Sequence, residues 1–573
     1  MKASSYEQPK KRAARTTAAR RFLSAVLLLG TVGIVLGATL SRGTHAGQAK
    51  RGTRPDLVLI VVDTLRSDYL GATGRATART PNIDRLIRSG TFFANVITPM
   101  PRTTPAVASL MTGLWPKRHG CREVGENVET GTLLAEVLAA SGYTTIAVSA
   151  NQAAGPDQRL ERGFDHFVSR ADIQRRYEGR LYDDGSDVPP TAVGSAEATT
   201  REALDLVEAA PADKPLFLWT LYFDPHLLYR PPSPWQEQAD APRCWELYER
   251  YTKKTPHLAW QALTDFGGAA TWGLADCQKL YDAEIAYADH EIGKLLAGLR
   301  RAGRLDNAVV VFAADHGENF GEGGVFFEHG DNVHDAGLRV PLAIAGPGVA
   351  ESQVLAASVS LVDVMPTLLT LLGIAPEQAP EMDGMDLADV FRGRGPPSGD
   401  LAERIVFAES GSLMRNQFYG TVLTGRTFQR ACINGPRYTL CDVVKNEPVP
   451  PQLFDHVSDP GLTRDVADSH PDEVQALLEA RRRWPPESAR ERAASVARFK
   501  LVQYPRLAGG YTTALYDRAA DRLESRNVSA AHPQVTARLL AALEDWAGDT
   551  PQKLPQKLEP AVEEAMRQLG YIE

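Results

Sequence analysis

The clearest pattern in the chain is a set of short apolar runs, each ending on polar residues. Leu57 to Val62, Thr144 to Val148, Leu216 to Tyr222 and Val309 to Phe312 are such runs. Uninterrupted β-rich runs of this length suit strands buried on both faces, as in a parallel sheet. Helical patterns lie between them, over Thr132–Ala140, Thr199–Ala209 and Lys279–Arg301. Strands alternating with helices predict a doubly wound α/β sheet. After about residue 400 the joints become rich in Pro and Gly and the runs shorten. This predicts a main domain over 55–400 and a smaller C-terminal α+β subdomain over 401–573.

The polar residues matter because of where they fall. Asp63 closes the first run and Asn151 lies just beyond the second. Asp224 and His226 follow the third, and Asp315 and His316 follow the fourth. Ligands of open α/β sheets bind outside the carboxyl ends of the strands. One aspartate after a strand is usually a turn or cap residue. Four polar ends together predict convergence on one sheet edge.

The N-terminus is a different kind of sequence. Residues 1–21 hold Lys2, Lys10, Lys11, Arg12, Arg15, Arg20 and Arg21 against Glu7, and Phe22 to Leu40 carries no charge. An apolar helix of about 20 residues spans a bilayer, and a basic flank keeps its N-terminus in the cytoplasm. The expectation is a single-pass anchor over 22–40, a linker over 41–54 and a catalytic domain outside the cytoplasm. The alternative is a cleaved signal segment giving a secreted or periplasmic protein. The Arg20-Arg21 pair carries a weak twin-arginine signal.

Hydrophobic residues make up 43% of the 573, enough for a large core. Net charge is −8 with both signs mixed, which argues against a nucleic-acid partner. The five cysteines are Cys121, Cys244, Cys277, Cys432 and Cys441. Cys432 with Cys441 could close a hairpin, and Cys244 with Cys277 one insertion, or all could be unpaired. An internal repeat sets Leu453, Asp455, Asp459, Val466 and His470-Pro471 against Leu515, Asp517, Asp521, Val528 and His532-Pro533. Each copy predicts a strand end, a turn and a helix opened by proline, a structural role for both histidines.

Thr103 to Gly113 reads as a short helix capped by a threonine, with Pro105 in its first turn and Gly113 at its end. A helix N-terminus offers free N–H groups and partial positive charge, which suit an oxyanion. A threonine hydroxyl needs a base or a metal to act as a nucleophile. Asp63, Asp315 and His316 could hold that metal. Such a mixed O/N donor set fits Zn²⁺ or Mn²⁺, with Ca²⁺ or Mg²⁺ as alternatives. His226 and His329 are candidates to bind the substrate oxyanion, protonate the leaving group or hold a second metal. Residues 227–278, polar, aromatic and with two cysteines, suit a lid that selects substrate.

Several motifs carry a family resemblance. Val61-Val62-Asp63-Thr64-Leu65-Arg66, with Asp68 and Leu70-Gly71, resembles the first metal segment of sulfatase-like proteins of the alkaline-phosphatase superfamily. Thr103–Gly113, with Pro116 and His119-Gly120, resembles their nucleophile segment. Asp224-Pro225-His226, with Tyr229 and Pro231-Pro232, resembles their substrate-histidine segment. Tyr281, Ile285, Asp289 and Ile292-Gly293 precede Ala314-Asp315-His316-Gly317-Glu318 in the family's order. Arg339-Val340-Pro341 and Val362-Asp363 with Pro366-Thr367 also match. The resemblance covers roughly residues 55–545. It implies a large mixed, mostly parallel sheet flanked by helices, with a smaller C-terminal α+β subdomain.

Some positions depart from the family. Sulfatases proper carry Cys or Ser, oxidised to formylglycine, where Thr103 stands. Val107 replaces their arginine, Thr64 their second aspartate and Asp331 their lysine, and no Lys-x-His stands near Asn151. A threonine nucleophile looks instead like phosphoethanolamine or phosphoglycerol transferases and nucleotide phosphodiesterases. These imply Asp63, Thr103, Asp315 and His316 as metal ligands, and His226 and His329 on the phosphate, to which we add Asn151 as a substrate contact. The expectation is a metal-dependent hydrolase or transferase acting on phosphate (or sulfate) esters of small molecules, lipids or glycans. The alternatives are a sulfatase without formylglycine and an inactive anchored binding protein on the same fold.

Overall fold

The computed structural model describes residues 54–177, 181–182, 193–235, 242–245, 274–320, 322, 327, 329–330, 332–394, 401, 404–411, 430–434, 438–443, 452–455, 466–475, 490–505 and 511–548. The basic segment, the apolar run 22–40 and nearly all of the linker lie outside them. Among the described residues no helix is long and apolar enough to cross a membrane.

Eight strands build the main sheet: β1 (Asp56–Val62), β2 (Gly90–Ile97), β3 (Thr144–Ser149), β4 (His166–Val168), β5 (Leu216–Tyr222), β6 (Ala308–Ala314), β7 (Arg339–Ala345) and β8 (Gln353–Ser360). Their order is β8-β2-β7-β6-β1-β5-β3-β4. The stretch β6-β1-β5-β3-β4 is parallel throughout. β7 runs antiparallel to both β6 and β2, which makes the sheet mixed. The predicted apolar runs are its centre: β1, β3, β5 and β6 are buried almost end to end. Side chains facing both ways out of the sheet need cover, and helices supply it. Among these are α1 (Pro81–Arg88), α2 (Thr103–Thr112), α3 (Leu134–Ala140), α4 (Ser195–Ala209) and α5 (Leu274–Arg301).

This topology positions the site. β6, β1, β5 and β3 are neighbours pointing the same way, so their carboxyl ends share one edge. Asp315, Asp63, Asp224 and Asn151 follow those four ends. Several of the family-like motif residues turn out to be structural. Asp289 on α5 accepts from the backbone of Asn82 and Ile83, at 3.0 and 2.8 Å, satisfying free N–H groups at the start of α1. Asp363 accepts two bonds from the Arg404 guanidinium and one from Ser360 N.

The C-terminal region adds a four-stranded antiparallel sheet of Val406–Glu409, Arg492–Ser495, Phe499–Pro505 and Tyr511–Asp517, and a helix over Pro533–Ala547. A three-stranded sheet is built from Arg430–Asn434, Tyr438–Val443 and Gln452–Asp455. The repeat is real at the backbone: Val466 N bonds Leu453 O at 2.7 Å, and Val528 N bonds Leu515 O at 2.8 Å. A helical segment follows each His-Pro pair. Cys244 and Cys277 form a disulfide, and Cys121 is buried with its thiol donating to Glu123 O at 3.6 Å and Glu126 O at 3.5 Å. Cys432 stands opposite Cys441 in register; their side chains lie outside the description.

Candidate active site and metal centre

Asp63 stands directly after β1, and Thr64 behind it takes a left-handed backbone, φ 52°. That is unfavourable for a β-branched residue, so the surroundings must hold it. Tyr281 of α5 does so, donating its hydroxyl to Thr64 O at 2.6 Å and accepting from Arg66 N at 3.0 Å. Thr64 N in turn donates to Asp315 Oδ1 at 3.2 Å. The two strand ends are thus stitched together. Arg66 adds a further tie, donating to Glu318 O at 3.1 Å.

Asp63, Asp315 and His316 are fully buried and present ligand atoms within 4.8 Å of one another. His316 Nε2 lies 3.6 Å from Asp63 Oδ1 and 3.4 Å from Asp315 Oδ2. His316 Nδ1 donates to Gly317 O at 3.0 Å, which leaves the Nε2 lone pair for a ligand role. Asp315 Oδ2 is buried without a hydrogen bond among the described residues. Burial pushes the Asp63 carboxyl well above the usual range, and the neighbouring Asp315 charge adds to this. Burial also raises Asp315 and pushes His316 down to about 3. Two adjacent buried carboxylates with a neutral imidazole are costly alone and suit a divalent cation. The residues present therefore fit a metal ion.

Thr103 begins α2 on this same edge. Its Oγ1 lies 3.1 Å from His316 Nε2 and accepts from Asn151 Nδ2 at 3.4 Å. Asn151 also donates to Asp63 Oδ2. The expectation that a threonine caps this helix is corrected here. Arg102 is the N-cap and makes no side-chain cap bond. Thr104 donates to Ala153 O at 2.7 Å and accepts from Gly125 N at 2.9 Å. Its hydroxyl is taken by tertiary partners, and the Thr103 hydroxyl faces the metal residues instead.

His226 and His329 complete the cluster. The His329 ring stacks on His316 at 4.3 Å and meets His226 edge-on at 5.2 Å. His226 Nδ1 donates to Leu227 O at 2.8 Å. Burial pushes both imidazoles down to about 3, so both are neutral in the free site. All seven predicted site residues thus fall in one cluster. Two neighbours were given no role in the sequence. Glu318, raised to about 7 by burial, accepts from Tyr229 OH at 3.2 Å and lies 3.4 Å from His329 Nδ1. Its place in the Asp-His-Gly-Glu motif was the available signal. Arg102, beside the nucleophile position, gave no signal but adjacency.

Comparison with known proteins identifies the family. The Sulfatase family model matches residues 55–374. The chain belongs to the sulfatase family. Choline-sulfatase of Rhizobium meliloti is 27% identical over 379 residues, covering 59% of this chain and 72% of that protein. A multifunctional alkaline phosphatase superfamily protein, PehA of Trinickia caryophylli, is 26% identical over 411 residues, 60% of this chain and 78% of its own. The phosphonate monoester hydrolase of Agrobacterium radiobacter superposes with a TM-score of 0.58 at 22% identity, over 86% of this chain and 95% of its own. The fold is therefore that of the alkaline-phosphatase superfamily, and the chain is a sulfatase-family ester hydrolase. Val107, on the helix that Thr103 begins, is 1% exposed and packed in the main core.

Proposed function

We propose that this sulfatase-family enzyme cleaves phosphate esters with Thr103 as the nucleophile. The observation that carries the reading is the Thr103 hydroxyl, buried at the start of a helix and 3.1 Å from His316 within the acidic cluster. Thr103 gives its proton to water as the site fills, Oγ1 bonds phosphorus, and the ester P–O bond breaks in line. Asn151, already bonded to both Asp63 and Thr103, orients the nucleophile. His226 and His329 receive the ester anion, whose charge favours their protonated forms. One of them gives a proton to the departing oxygen. Water, or an acceptor alcohol in a transfer reaction, then attacks the phosphothreonine and frees Thr103. A divalent cation held by Asp63, Asp315, His316 and Thr103 would lower the hydroxyl pKa and offset the ester's charge. The O/N donor set favours Zn²⁺ or Mn²⁺, with Ca²⁺ and Mg²⁺ as alternatives.

A second reading is sulfate-ester hydrolysis without formylglycine, and the relatives named as sulfatases favour it. Turnover of matched aryl phosphate and aryl sulfate esters separates the two. The phosphate reading expects phosphate turnover to dominate and to vanish in Thr103→Ala. Sulfate turnover that exceeds phosphate turnover overturns it. The substrate is a small-molecule, lipid or glycan ester. We place the catalytic domain outside the cytoplasm, anchored through residues 22–40 or released after cleavage. The Cys244–Cys277 disulfide supports an oxidising compartment.

A further inference from the structure

Arg102 immediately precedes the nucleophile, yet its side chain reaches away into three other parts of the molecule. Its backbone is extended and its carbonyl accepts from Ala106 N at 3.0 Å, opening helix α2. The residue is 4% exposed. Nη1 donates to Glu123 Oε2 at 3.2 Å. Glu123 Oε1 accepts from Arg490 Nη2 at 2.6 Å, and Arg490 Nη1 donates to Ser410 O at 2.9 Å. One carboxylate therefore links the arginine before Thr103 to the C-terminal region.

The rest of the Arg102 side chain lies in a slot between two glycines. A methyl group on Gly330 would overlap Arg102 Nε, and one on Gly411 would overlap Nε and Cζ. Gly411 N donates to Gly330 O at 2.6 Å, so the two walls are bonded to each other. Gly330 has φ +98°, which by itself calls for glycine. Gly411 has no left-handed backbone, so the presence of Arg102 is what excludes a side chain there. Gly330 directly follows His329. The guanidinium thus braces the backbone that carries His329 and is one peptide unit from Thr103.

We propose that Arg102 is a positioning residue that fixes His329 relative to the Thr103 nucleophile. A flat guanidinium fills the slot between two backbones and bonds Glu123 at its end; a lysine keeps a charge for Glu123 but has no flat group for the slot. A displacement of about 1 Å in such a frame costs about 100-fold in rate. The inference rests on the reading that His329 serves the leaving group.

The test is kcat/KM on two esters of one acid, with a nitrophenyl and a simple alkyl leaving group. A nitrophenolate departs without help, whereas an alkoxide needs a proton. Arg102→Ala and Gly411→Ala are each expected to lose about 100-fold on the alkyl ester and about 10-fold on the aryl ester, which needs His329 only for the ester anion. The double variant should lose no more than Arg102→Ala alone, because the methyl then has nothing to displace. Equal losses on both esters, or additive losses in the double variant, overturn the proposal. If Arg102→Ala does not fold, Arg102→Lys with Gly411→Ala carries the same comparison. Thr103→Ala is assayed alongside: surviving activity removes the nucleophile reading. The leaving-group ratio still decides Arg102 on whichever ester, phosphate or sulfate, the wild type turns over. Independently of turnover, a crystal structure of Gly411→Ala should show Arg102 and His329 displaced together, and an unmoved His329 overturns the proposal.

Discussion

Two buried charged clusters in this molecule behave in opposite ways. At the sheet edge, Asp63 and Asp315 sit together beside neutral imidazoles and the Glu318 carboxyl, and burial pushes both carboxyls up. Near the C-terminal sheet, Lys500 is fully buried and donates to Val333 O at 2.7 Å, to Asp335 at 3.1 Å and to Glu524. Arg518 pairs with the same Asp335 at 2.7 Å, and His334 lies 3.0 Å from Glu524. There the neighbouring cations Arg518 and Lys500 outweigh burial and hold Asp335 far below the usual range. One cluster is closed by the chain's own cations. The other is left open to an ion and a substrate. Buried charge is informative as function only where the protein has not neutralised it.

The comparison breaks first at Asp315→Asn. The account expects activity to fall by about 1,000-fold or more, about 4 kcal/mol of transition-state stabilisation. The metal-free variant should melt no lower than the metal-free wild type, because one of two repelling carboxylates has gone. A clear loss of metal-free stability would make Asp315 a structural residue. In the closed cluster the order reverses. Lys500→Met should cost about 3–5 kcal/mol in denaturant unfolding, by leaving the buried Glu524 carboxylate without its ammonium partner. An unchanged midpoint would show that the network holds nothing together.

The closed cluster was invisible in the sequence, and the open one was not. Asp63, Asp315 and Asn151 were legible because each follows an apolar run at a strand end, and chain order carried that signal. Lys500, Asp335 and Glu524 come from separate segments without a shared motif, so only tertiary packing unites them. Arg102 was hidden for the same reason, since its partners Glu123, Gly330 and Gly411 lie in three separate segments. Thr104 shows the opposite failure: local capping logic was plausible, but Ala153 and Gly125 claimed its hydroxyl. The mixed sheet came from family resemblance, because the apolar runs point to buried parallel strands and carry no sign of the antiparallel β7.

Metal binding sharpens the contrast at a smaller scale. Zn²⁺ or Mn²⁺ at about 100 times its Kd should stabilise the wild type by about 2.7 kcal/mol. Asp315→Asn should lose most of that gain, and Lys500→Met should keep it. Equal gains in all three proteins would place the ion elsewhere.

The smallest effect is in pH. The folded pKa of Asp335 is depressed, so its contribution is present above the unfolded value of about 3.9 and is lost as pH falls below it. The stability gap between wild type and Asp335→Asn, measured by denaturant unfolding, should narrow as pH drops from 5 to about 3. A gap that is constant or widens would contradict the ion-pair account.

The central claim is that Thr103 carries the transferred group. Intact and peptide mass spectrometry after rapid acid quench of a turning-over phosphate ester tests it most directly. The account predicts one phosphoryl group on the peptide containing Thr103, absent in Thr103→Ala. Sustained turnover by Thr103→Ala, or a phosphoryl group mapped to another residue, would contradict it.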